Sequence, residues 1–126
     1  MRIKMTSVFV DNPNKALNFY TEILGFKTLM HMPEYNLAIV VSPEDENGTS
    51  LLLEPNQNPI AKKYHEDIYK ENLPVIVFGS KNVQKEFEEL SKKGVKFTQE
   101  PITNEWGITA IFDDTFGNLI QIHQDD

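Results

Sequence analysis

Cysteine is absent from the 126 residues, which excludes disulfides, thiolate nucleophiles and cysteine-ligated zinc. Cations are scarce: 12 lysines and arginines face 19 acidic residues, for a formal net charge of −7. Without a basic stripe, the electrostatic term that carries nucleic-acid binding is missing. The same sign disfavours an anionic membrane surface. No apolar run approaches bilayer length, and the first residues, Met1 to Thr6, lack the apolar region of a signal peptide. A cytoplasmic protein is expected. Phosphate loops, dinucleotide fingerprints and Gly-x-Ser-x-Gly elbows are missing too. Ser7 and Ser42 have no nearby His and Asp to complete a triad. What remains is 40% hydrophobic and 25% charged, a globular composition in a chain long enough to bury its own core.

Residues 3–10, with Val8, Phe9 and Val10 at their end, read as a first strand. Asn12-Pro13 supplies a helix cap and a proline at the first helical position. Ala16, Leu17, Phe19, Tyr20, Ile23 and Leu24 then form an apolar stripe that Gly25 ends. Strands are expected over 26–32 and 36–42, a hairpin turn at Asn47-Gly48, and a strand over 49–54. Asn58-Pro59 opens a linker helix that closes near Asn72, before Pro74. The order then repeats: a strand over 75–78, a turn and cap at Gly79-Ser80, and a helix with Val83, Phe87 and Leu90 inward that Gly94 closes. Strands follow over 96–99, 106–112 and 119–123. The helix-ending glycines are spaced by 69 (25 to 94), and so are the glycines Gly48 and Gly117. Two matched marks at one offset indicate an internal repeat of strand, helix and three strands.

With the repeat in view, Ala16-Leu17-Asn18-Phe19-Tyr20-Thr21-Glu22-Ile23-Leu24-Gly25-Phe26 resembles the helix-to-strand signature of the vicinal oxygen chelate superfamily. That superfamily includes glyoxalase I, bleomycin-resistance proteins and extradiol dioxygenases. The segment from Asp113 to Ile122 is similar to its final turn and strand. The resemblance implies an α+β fold: two βαβββ modules, at about residues 3–55 and 74–123, joined by a linker over 56–73. Their open, curved mixed sheets would surround a cavity in a single domain, usually within a homodimer. Metal-using members place one ligand on the first strand and one on the last strand of each module, typically His and Glu. Here those positions are Met5 and Pro74, with Glu54 and Gln121. That set offers one carboxylate and one amide, too little for a catalytic zinc or for a two-His, one-carboxylate iron. No metal and no cofactor are expected.

Strand alternation places Leu52 with Glu54, and Leu119 with Gln121 and His123. Glu54 and Gln121 are the leading polar candidates on an apolar wall, as small-molecule sites require. The expected ligand-lining set is Met5, Ser7, Glu54, Phe78, Trp106 and Gln121. Glu54 could instead be a strand-end residue bonded to backbone or solvent. Trp106 could stack on a flat ligand or simply pack. For proton transfer the candidates are Glu54 and His123; His31 suits an edge or dimer surface, and His65 a solvated helix face. The favoured reading is a metal-free binder of a small organic molecule. The alternatives are a metal-dependent lyase, isomerase or dioxygenase similar to lactoylglutathione lyase, and a metal-free acid–base enzyme using Glu54.

Overall fold

Two four-stranded mixed sheets organise the chain, whose computed structural model describes residues 1–125. The chain divides into two compact units, one spanning Met1–Tyr64 and a second beginning at His65.

In the first unit, β1 (Met5–Val10) leads to Asn12, whose side chain accepts a hydrogen bond from the Lys15 amide at 3.1 Å. That cap, with Pro13 at the first position, starts α1 (Pro13–Asn18). A π-helical turn, Phe19–Ile23, continues it, and Gly25 ends the segment at φ +90°. Then come β2 (Lys27–Met32), β3 (Leu37–Ser42) and β4 (Asp45–Pro55). The sheet order is β1-β4-β3-β2, with β1 parallel to β4 and the other pairs antiparallel. Val8, Val10, Ala38, Val40, Leu51 and Leu53 alternate onto one buried face, and Ala16, Leu17 and Tyr20 are buried with them. A side chain as enclosed as Leu53 contributes about 2–5 kcal/mol over alanine.

The expected hairpin at Asn47-Gly48 is corrected. Ser42 pairs with Asp45, so the reversal falls at Pro43 and Glu44. Asn47 and Gly48 lie where the register shifts, because Val41 already pairs with Ser50.

The helix α2 (Pro59–Lys70) begins where the Asn58 side chain accepts from the Ile60 amide at 2.9 Å. The second unit takes over within it, at His65. There β5 (Pro74–Gly79), α3 (Val83–Lys92), β6 (Phe97–Asn104), β7 (Gly107–Asp113) and β8 (Leu119–Gln124) form a sheet ordered β5-β8-β7-β6 with α3 alongside. The cap of α3 is Asn82, accepting from the Lys85 amide at 3.0 Å, two residues after the expected Gly79-Ser80. Phe97 joins helix to sheet: its ring meets Phe87 edge-on at 4.8 Å and Phe112 at 5.5 Å.

The two caps, Asn12 and Asn82, are 70 residues apart, whereas the closing glycines are 69 apart. The first helix therefore holds one more residue, and its π-helical turn takes it up: the Leu24 amide bonds back to the Phe19 carbonyl, five residues earlier. Among the described residues no helix is long and apolar enough to cross a membrane.

Candidate functional site

Each sheet has one face covered by its helix and one left open. On the open face of the first unit, β1 contributes Met5, Ser7 and Phe9, and β4 contributes Ser50, Leu52 and Glu54 in lateral pairs. Ile39 continues the row of Ser7 and Leu52, and Met30 completes it. Met5 and Met30 are half exposed, at 50% and 46%. Glu54 is half-buried, and its carboxylate makes no hydrogen bond or ion pair with any described residue.

On the open face of the second unit, Gln121 lies between Val77 and Ile111, and Gln99 ends the row. The next row holds Gly79, His123 and Thr109. Gln99 Nε2 donates to Thr109 Oγ1 at 3.3 Å, and His123 Nε2 is 3.2 Å from Asp125 Oδ1. The half-buried Gln121 amide, like Glu54, is unengaged by any described residue. Val77 beside it is 54% exposed.

Phe78 does not share this face. Counting from Pro74 by twos would align it with Leu119 and Gln121. A register shift between Pro74 and Ile76 inserts one extra residue, so Val77 stands beside Gln121 and Phe78 pairs with the core residue Ile122. Trp106 does not start a strand either. It sits in the β6–β7 turn, 73% exposed, its amide bonded to the Asn104 side chain.

The positions implied for a metal do not form a ligand set. Met5 is beside Ser50, whereas Glu54 is beside Phe9, four residues farther along, or about 13 Å at ordinary strand rise. Pro74, which has no side-chain donor, pairs with Leu119 rather than Gln121. The 69-residue spacing of Gly48 and Gly117 carries into the last strands and makes Leu52 the counterpart of Gln121, and His123 that of Glu54. Among the described residues no three His, Asp or Glu side chains gather where they could hold an ion. The residues present do not fit the family's metal.

Sequence reasoning passed over two features of these faces. Phe9 alternates with Ser7, so the strand pattern already placed it on the open face. Its ring meets Tyr64 edge-on at 6.4 Å and 74°. The Gln99–Thr109 bond depended on two register shifts in β6 that no local pattern signals.

The pattern of the Glyoxalase/Bleomycin resistance protein/Dioxygenase superfamily matches residues 2–122. The chain belongs to this superfamily. A relative from Bacillus subtilis (strain 168), YurT, is 49% identical over 126 residues, covering 98% of this chain and 99% of its own. YetH, from the same strain, is 28% identical over 125 residues, covering 98% of each. Among solved structures, UcmS2 superposes with a TM-score of 0.82 at 28% identity, covering 98% of this chain and 97% of its own. TnmS3, an antibiotic binding protein from Streptomyces sp. CB03234, superposes at 0.76 with 24% identity, covering 100% and 97%. The two mixed sheets with their helices are thus the superfamily's α+β architecture, with no closed barrel.

Proposed function

We propose that this superfamily member binds a small organic molecule on its open sheet faces, without the family's metal. The observation that carries the reading is Gln121: a half-buried amide flanked by apolar Val77 and Ile111 and engaged by no described residue. Its amide is not cut off from water, so a ligand covering this apolar surface would have to replace that water with a partner of its own, which orients it. Glu54 stands the same way on the other sheet. TnmS3, named for antibiotic binding, shares the fold at an identity that carries the fold alone; it supports the scaffold's suitability for a binder. Cytoplasmic location and a homodimer belong to the same proposal.

Native mass spectrometry of the purified protein and a thermal-shift screen would find a ligand, and calorimetry would then compare variants. Gln121→Leu should weaken binding by about 1–3 kcal/mol, because the ligand's polar atom loses its partner. Folding should survive, since Leu52 holds the corresponding position in the first unit. Substituting Lys92 and Lys93 is the control. Unchanged affinity in both Gln121→Leu and Glu54→Gln, or the absence of any bound molecule in the screen, overturns the reading.

A further inference from the structure

The eight strands contain no arginine, and their only lysine, Lys27, is tied to Glu46 at 3.0 Å. Among the described residues, the strands of neither open face therefore offer an unpaired lysine or arginine to a phosphate or carboxylate. The first unit offers the opposite. Glu54 holds a half-buried carboxylate with no hydrogen bond or ion pair to a described residue. Its lateral neighbour is Phe9, and the Phe9 ring meets Tyr64 edge-on. Tyr64 is 54% exposed, which leaves ring surface open to a ligand. Aromatic faces attract cations through their quadrupole, and a carboxylate beside them adds direct charge attraction. Ile39, Leu52 and Met30 continue the face as apolar surface for the rest of a molecule. Lys62 and Lys63, on the same helix as Tyr64, are exposed, so they oppose a cation there less strongly than a buried charge would.

We propose that Glu54, Phe9 and Tyr64 form a recognition site for an organic ammonium group carried on an apolar body. This rests on the reading of the protein as a small-molecule binder and names the class of molecule. A quaternary or tertiary amine is the ligand class that both the carboxylate and the aromatic rings favour. A phosphate, a carboxylate or a glutathione conjugate brings negative charge to a face that already holds one.

The test uses two probes of the same shape, choline and its neutral isostere 3,3-dimethyl-1-butanol, titrated into the ¹⁵N-labelled full chain and followed by amide shifts. Choline should bind at least about tenfold more tightly than the alcohol, with the largest shifts on β1 and β4. Glu54→Gln should bring choline down to the level of the alcohol. Phe9→Leu and Tyr64→Leu should each weaken choline severalfold, and unchanged spectra of the free variants would confirm that they fold. Equal binding of the two probes, or choline affinity indifferent to Glu54→Gln, overturns the proposal. Tight binding of neutral molecules elsewhere on the faces would do so as well, while leaving the binder reading intact. Failure of every screened molecule to bind removes that reading and this one together.

Discussion

The imidazole of His65 lies against Gly117 so closely that a Cβ on the glycine would stand 2.6 Å from Nε2. The sequence suggested a solvated His65, but it is 4% exposed. The turn beneath it is built from its own side chains. Asp114 Oδ1 accepts from the amides of Phe116 at 2.7 Å and Asn118 at 3.0 Å, while Asn118 Nδ2 donates to Asp114 Oδ2 at 2.9 Å. Gly117 stands at φ +92°, a conformation that side-chain-bearing residues rarely adopt. Helix and turn therefore meet where only glycine fits.

Gly117→Ala should lower unfolding stability by about 2–4 kcal/mol, through backbone strain and the collision with His65 together. Gly25→Ala isolates the strain: its φ is +90°, yet an added Cβ would meet nothing within 4 Å, so a loss of only about 1 kcal/mol is expected. Urea denaturation of both variants measures the difference. Equal losses would show that the His65 contact contributes nothing.

Tyr69 donates a short hydrogen bond to Asp113 Oδ2. That bond, followed by burial and the charges of Asp113 and Asp114, raises the phenol above its ordinary 10.0. The neutral phenol is the bonded form. Its contribution to stability is complete below the unfolded value and is lost as pH rises through the higher folded value. An ultraviolet titration of phenolate should show Tyr69 ionising above its ordinary range, and Asp113→Asn should move one phenol of the titration to lower pH. A profile unchanged by that substitution would dissociate the shift from Asp113.

Divalent nickel, zinc, iron or manganese should not bind stoichiometrically through Met5, Glu54, Pro74 and Gln121. Elemental analysis of protein purified without chelators, followed by calorimetric titration with each ion, tests this. A tight one-to-one ion whose affinity falls in Glu54→Gln would contradict the register argument.

β2 lies at the edge of the first sheet, with Leu29 and Met30 exposed at 55% and 46%. Apolar edges of this kind are commonly covered by a twofold partner. Sedimentation velocity at micromolar concentration should show a homodimer, and a monomer would count against it.

Much of the architecture was legible because its punctuation is local. Asn12-Pro13 acts through its own next turn, and Gly25 and Gly94 stand at positive φ for reasons contained in the chain around them. The faces were less legible. Alternation from Pro74 would put Phe78, one of the expected lining residues, on Gln121's face, and one extra residue near Val75 reverses its side. Gly48 looked like a hairpin residue because Asn-Gly ordinarily is one, but the reversal had already occurred at Pro43 and Glu44. His65 carried no local signal of burial: its neighbours Tyr64, Glu66 and Asp67 are exposed, and the turn that covers it lies some fifty residues on. Glu54 and Gln121 stand on the faces that alternation predicts, but the 69-residue spacing makes His123 and Leu52 their respective counterparts, so they are not equivalent positions of the two units.

The π-helical turn at Phe19–Ile23 gives the first helix slack. An α-helix has a fixed rise per residue, so one additional residue would ordinarily push its end onward and rotate everything after it. Here the surplus is swallowed within a single wide turn, and Gly25 delivers the chain to β2 as Gly94 delivers it to β6. A strand cannot absorb such a change so quietly, because a slip of one residue exchanges its two faces. Changes in length between the halves of this protein can therefore accumulate in the helix, while Ser7, Leu52 and Glu54 keep their side of the sheet.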